Sequence, residues 1–253
     1  RNTARRSSAA EHAQAPVHQL FWHRLAGGRF SSFYSDRQIA TPEGEAVATT
    51  EIFDTPWTIN GVKQPRTLGE LVSEANRVLR PDQEALTVVG HGDAHFGNVF
   101  LEDIAPGNSK RFLYFDPAFA GRHSVLLDVV KPLFHNVFAQ WMYFPDEKAE
   151  EIPIRLECGA SGISIEYSDA FSPLRAALLE RKRASLIEPV VSWLESEDAL
   201  PHGRRPIDLA LMCCPLLTMN LTDEHKFPAP ISWLGFALAL QMGNGDIEQD
   251  LSF

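Results

Sequence analysis

A chain of 253 residues, 44% of them hydrophobic, is long enough for one sizeable core or for a larger and a smaller subdomain. Its formal charge of −10 disfavours general binding to phosphate backbones, so no nucleic-acid partner is expected. Three cysteines (Cys158, Cys213 and Cys214) form no C-x-x-C, which predicts free thiols in a reducing compartment, not a disulfide framework or zinc knuckle.

No signal peptide is visible, and the apolar stretches Leu209–Leu217 and Ile231–Met242 are too short to span a bilayer. The expectation is a cytoplasmic protein with no membrane partner; nothing in the pattern sets an oligomeric state. The chain opens at Arg1 without a methionine, the start expected of a fragment or processed product.

Residues 1–15 are polar and Ala-rich, with Arg1, Arg5 and Arg6 among Ser and Ala, and predict a disordered arm or linker. One body is expected over 16–253. Pro16–Phe30 predicts a helix: proline opens it, Val17, Leu20, Phe21 and Leu25 recur at helical spacing, and Gly27-Gly28 closes it. Residues 31–46 predict an irregular connection, and Asn60-Gly61 between β-prone runs predicts a small hairpin. Thr67–Arg80 predicts an amphipathic helix with Thr67 and Glu70 as a capping box, and with Leu68, Leu71, Val72, Ala75, Val78 and Leu79 on one face. Leu86–Val89 reads as a short strand. Val99–Glu102 and Arg111–Phe115 read as two strands joined by a turn-rich loop, Asp103–Lys110. Beyond Gly121 the pattern turns helical over 124–140, 172–196, 206–221 and 230–242; within 145–171, "GISIEYS" suggests a short strand or extended loop.

Chemistry concentrates in His91-Gly92-Asp93-Ala94-His95-Phe96-Gly97-Asn98, followed after the expected hairpin by Phe115-Asp116-Pro117-Ala118. The order H-x-D-x-x-x-x-N, hairpin, D suits phosphoryl transfer. A carboxylate must orient the accepting hydroxyl and take its proton, and hard oxygen ligands must hold the Mg²⁺ that neutralises the triphosphate. Asp93 fits the first task. Asn98 and Asp116 fit the second, reaching one metal from two chain segments. Gly92 and Gly97 are expected to supply unusual backbone angles.

"HGDAHFGNVF" with "FDPA" closely resembles the aminoglycoside phosphotransferase family of the protein-kinase-like superfamily, tightly over about 40 residues. The resemblance implies an α+β fold, mainly helical with small β-hairpins: the C-terminal lobe of a kinase-like enzyme. It implies Asp93 as catalytic base with His91 bracing the loop, Asn98 and Asp116 as ligands for magnesium and ATP, and Asp128 and His95 as structural support. The implied partner is a small-molecule hydroxyl substrate. The family's nucleotide-binding lobe has no counterpart here: 90 residues precede His91, no G-x-G-x-x-G occurs, and Lys63 follows a turn. That lobe is expected to be missing from the chain.

Two other readings stay open. One is a noncatalytic binding module with a kinase-derived fold. The other is a metal-dependent hydrolase in which His91, Asp93 and His95 form an H-x-D-x-H ligand set. His12, His18, His23, His123 and His135 are expected to be surface or core histidines, the five tryptophans core aromatics, Glu180–Ser185 a solvated helix face, and the acidic "GDIEQD" a solvated tail.

Overall fold

The computed structural model describes residues 1–104 and 109–246. The expected loop over 103–110 therefore falls partly, and the acidic tail over 245–250 mostly, outside the described residues. Helices outweigh strands and the sheets are small, an α+β arrangement. The chain forms two compact units: the first comprises Arg1–Leu20, Pro81–Phe138 and Pro173–Pro201, the second Phe21–Arg80, Ala139–Ser172 and His202–Phe253. No helix among the described residues is long and apolar enough to cross a membrane.

The first unit is built on a three-stranded antiparallel sheet. Strand β1 (Arg5–Ser7) and strand β5 (Gly121–Ser124) flank a central strand, β2 (Ala85–Gly90). Pairing runs Arg5↔Thr87 on one side and Val88↔His123 and Gly90↔Gly121 on the other. The opening residues are thus not a disordered arm. Composition predicts poorly here because a ladder is made by backbone groups, which a polar strand carries as well as an apolar one. Ser7 Oγ also shares a buried 2.8 Å hydrogen bond with Thr87 Oγ1, and Arg6 donates to the Glu197 carbonyl at 2.7 Å.

Between β2 and β5 the chain makes a separate hairpin, β3 (Val99–Ile104) and β4 (Ser109–Tyr114), paired Val99↔Tyr114 through Ile104↔Ser109. Both of its faces are open: Phe100 and Leu113 are exposed on one, Leu101 and Phe112 on the other. The helix expected over 124–140 is broken into Val125–Asp128, Val130–Leu133 and a wide π turn at Phe134–Phe138. Pro132 lies within this run and supplies no N–H. The helix expected over 172–196 is continuous, Pro173–Lys182 into Glu188–Ser196, through a second π turn at Arg183–Ile187. That turn precedes Pro189, which again cannot donate.

The second unit centres on three helices: α1 (Leu68–Val78), α2 (Arg205–Thr218) and α3 (Ala229–Asn244). The capping box of α1 is present as expected, with Glu70 N on Thr67 Oγ1 and Thr67 N on Glu70 Oε2. Every residue of α3 from Ile231 to Gly243 is buried, which is why its sequence is apolar all round. Burial of large side chains such as Trp57, Trp233 and Phe236 contributes roughly 1.5–3 kcal/mol each. Arg205 ties the three helices together: it donates to both Glu74 oxygens, at 3.2 and 2.7 Å, to Asp208 at 3.3 Å and to the Gly243 carbonyl at 2.8 Å.

A four-stranded sheet completes this unit. The hairpin Ile154–Gly159 and Gly162–Tyr167 occupies much of the segment that resisted reading, and its second strand pairs in parallel with Trp57–Ile59. That strand turns at Asn60 and Gly61, both at positive φ, into Val62–Lys63, as the Asn-Gly signal predicts. The single helix expected over Pro16–Phe30 is instead a 3₁₀ turn, Pro16–Leu20, then Trp22–Ala26 and Arg29–Tyr34. Gly28 at φ 98 resets the chain between the last two. The supposedly irregular 31–46 holds the end of that last helix and most of a small antiparallel pair, Gln38–Ala40 with Ala46–Ala48. Cys158, Cys213 and Cys214 are free thiols, the last two buried.

Candidate active site

All six residues singled out by the sequence lie in the first unit, along one excursion of the chain from the end of β2 to the helical turn after β5. Central strand β2 delivers the chain to Gly90, and the backbone then turns sharply. Gly92 has φ 80, and a β-carbon there would lie 2.5 Å from the Phe119 carbonyl oxygen. A side chain is excluded on both counts. Gly97 serves differently from expectation. Its φ is not positive, and its value is smallness: a β-carbon would strike the His95 ring at 2.6 Å.

Asp93 follows at the head of the loop. Its Oδ1 is buried and has no hydrogen-bond partner. The nearest cationic candidate is His95 Nε2, at 3.8 Å. His95 Nδ1 accepts the Gly97 N–H at 3.0 Å, so the ring proton sits on Nε2, the nitrogen of that ion-pair contact. Burial pushes the His95 imidazole below its ordinary pKa; Asp93 opposes this and Lys131 adds to it. The ring also packs against His135 at a tilt of 31°, with centroids 4.6 Å apart.

Asn98 is buried at the end of a 3₁₀ turn, Phe96–Asn98. Its Nδ2 donates to the Asp93 carbonyl at 3.0 Å, which leaves its Oδ1, a hard oxygen, for another ligand. The hairpin then returns the chain, and Phe115 N donates to the Asn98 carbonyl at 3.2 Å, which sets Asp116 one residue beyond that contact. Asp116 is exposed and holds φ 54, immediately before Pro117. Positive φ is costly for a residue with a β-carbon, of the order of 1–3 kcal/mol, and such strain concentrates where geometry is functional. His91 joins the two segments. Its Nε2 donates to the Phe115 carbonyl at 2.9 Å, and its Nδ1 accepts the Asp93 N–H at 3.4 Å.

The loop is anchored from two directions. Asp128 Oδ1 accepts the Gly92 N–H at 2.7 Å and also the His123 Nε2 proton at 3.1 Å. Burial works against the Asp128 charge, but the His123 and Gly92 hydrogen bonds together hold its carboxyl below the ordinary range. On the other side Asn136 Oδ1 accepts the Phe96 N–H at 2.9 Å. Asn136 lies in the wide turn Phe134–Phe138, which buried Arg175 grips by donating to the Val137 carbonyl at 2.9 Å. Neither Asn136 nor Arg175 was singled out from sequence. The one available signal was an amide inside the apolar run Val130–Phe138.

Among the described residues no three His, Cys, Asp or Glu side chains are gathered to hold a metal ion. The H-x-D-x-H reading therefore lacks its ligand cage. His91 and His95 spend their Nε2 and Nδ1 atoms, respectively, on the backbone of the loop. The amide oxygen of Asn98 and the carboxylates of Asp93 and Asp116 remain, hard oxygen donors of the kind Mg²⁺ takes a few of before completing its shell with phosphate and water. No family model, no curated protein and no solved structure matches the chain.

Proposed function

We propose that the chain is the catalytic C-terminal lobe of a small-molecule phosphotransferase, moving the γ-phosphoryl group of ATP to a hydroxyl. The observation that carries the reading is the state of Asp93. It is a buried carboxylate oxygen without a partner, at the head of a loop braced by Gly92–Asp128 and Phe96–Asn136. A buried acceptor left unsatisfied is costly, and it fits a group kept for an incoming O–H.

In this mechanism Asp93 accepts a hydrogen bond from the substrate hydroxyl and orients its oxygen toward the γ-phosphorus. The new O–P bond forms as the bond to the β-phosphate oxygen breaks, ADP leaves, and the hydroxyl proton passes to Asp93. Asn98 and Asp116 would hold magnesium, which when bound supplies positive charge to the phosphate oxygens. His91 keeps the Asp93 and Phe115 segments in register. His95 lends Asp93 a neutral N–H neighbour, so the base is not locked in a strong ion pair.

Two measurements test this. On the longest natural protein that carries this chain, calorimetry with Mg-ATP at millimolar nucleotide should show binding, and γ-labelled ATP with a panel of small alcohols, amino alcohols, sugars and aminoglycosides should give labelled product. Asp93→Ala should lower turnover there by about 10²–10⁴-fold. Unchanged turnover in that variant, or no binding and no transfer by that protein, would sink the proposal.

A further inference from the structure

We infer that His123 is a positioning residue for the Asp93 loop, acting through Asp128. Its effect on turnover rests on the phosphotransferase reading above; its effect on the loop does not.

One carboxylate oxygen receives two hydrogen bonds, one from a backbone amide and one from an imidazole. Asp128 Oδ1 takes the Gly92 N–H, the amide immediately before Asp93, at 2.7 Å. It takes the His123 Nε2–H at 3.1 Å. The carboxylate can reach that amide because it lies against the end of β2, where a β-carbon on Gly90 would sit 2.6–2.7 Å from all three carboxyl atoms. Gly90, Gly92, His123 and Asp128 are therefore one arrangement: a bare stretch of strand, a carboxylate pressed onto it, and a donor that fixes which way the carboxylate faces.

His123 is itself fixed. It lies on β5 directly opposite Val88 and is wholly buried. Its Nδ1 is buried and without a partner, so the single ring proton belongs on Nε2, where Asp128 receives it. A half-buried carboxylate with two donors of fixed direction has one favoured orientation. With only the Gly92 amide it would keep its desolvation cost and lose half of what offsets it. His123 thus converts the rigidity of the β2–β5 ladder into a fixed carboxylate-to-amide contact at Gly92, the residue before Asp93. The other titratable groups around this pair are His12, on which His123 acts electrostatically, and His91, which acts on Asp128.

The experiment uses the full chain and reads amide hydrogen exchange over 90–98, with Arg205–Thr218 of the second unit as internal control. His123→Leu should raise exchange at Gly92 by about tenfold and leave the control unchanged. His123→Gln, whose side-chain amide can still donate to Asp128, should bring exchange back to within about threefold of the parent. Leu without effect at Gly92, or Gln behaving as Leu, overturns the inference. If Leu unfolds the unit, nitrogen NMR of the parent chain decides the matter. A slowly exchanging Nε2–H on His123 that is lost in Asp128→Ala supports the inference, and an Nδ1–H tautomer overturns it. With an acceptor in hand, Leu should lower kcat more than it changes KM, and Gln should restore kcat. Absence of any phosphoryl transfer by the parent would remove the enzymatic reading and leave the exchange result standing.

Discussion

The two units solve the problem of a stable interior with different materials. In the second, α3 is buried over its whole circumference against aromatic and aliphatic side chains, and the buried polar side chains, such as Thr49, Gln64 and Gln241, are neutral and include no imidazole. In the first, the interior around β2 contains Ser7, His12, His18, Thr87 and His123, every one of them buried. Apolar packing is strong but non-directional. Hydrogen-bonded polar groups contribute less net stability and fix direction. The unit that carries the candidate site is the one whose interior is richer in imidazole and other directional groups.

That contrast can be broken by substitution. The largest stability effect should come from the second unit: Trp233→Ala removes a fully buried ring and should cost about 3–5 kcal/mol in denaturant unfolding. A loss under about 1 kcal/mol would show that α3 is not the stabilising element claimed here. Next comes acidity, which should act first on the first unit. Burial chiefly, with His123, holds the His12 pKa below 6.5, against hydrogen bonds to Gln83 and Pro81; the His18 ring packs edge-on against it. The folded form keeps His12 neutral, whereas the unfolded chain takes up a proton below about 6.5. Stability is therefore full above that pH and falls as pH drops below it, by at most about 1.4 kcal/mol per unit. Glu74 in the second unit has a carboxyl held low by its hydrogen bond to Arg205, so its contribution persists until the carboxylate range. Hydrogen exchange at pH 7 and 5.5 should show protection falling first around β1 and β2; simultaneous loss in both units would remove the distinction.

Smaller still is the expected effect of Asp93→Ala on stability. Its Oδ1 makes no hydrogen bond, so thermal unfolding should shift by no more than about 0.5 kcal/mol, or rise. A loss of 2 kcal/mol, roughly the cost of a buried polar group that had been satisfied, would mean Asp93 is a structural residue. Smallest should be Phe112→Ser, at 64% exposure, which should leave unfolding within about 0.5 kcal/mol of the parent.

Three local signals in the sequence proved accurate, whereas helical periodicity over Pro16–Phe30 and 124–140 did not show the breaks. The Thr67–Glu70 capping box, the Asn60-Gly61 turn and the pairing of Val99–Glu102 with Arg111–Phe115 each depend on a few neighbouring residues, and each is present. What stayed hidden depends on distant partners. Strand β1 exists because β2 has an open edge, 80 residues away. His123 and Asn136 look ordinary in sequence because their meaning lies in one atom each, an Nε2 on Asp128 and an Oδ1 on the Phe96 amide. Within the loop, Asp93, Asn98 and Asp116 could be picked out by residue type and spacing, whereas the positive φ of Asp116 could not: Asp-Pro by itself favours extended backbone before the proline.

The β3–β4 ribbon carries a consequence for the protein in solution. Its strands pair only with each other among the described residues, and aromatic and aliphatic side chains face outward on both sides. Unpaired strand edges with apolar faces invite stacking between copies. What opposes this is the net charge of −10, a repulsion that reaches only about 8 Å at physiological ionic strength and about 3 Å in molar salt. Colloidal behaviour is therefore tied to the buffer: dilute salt keeps the ribbons apart, and concentrated salt removes the barrier while leaving the fold untouched.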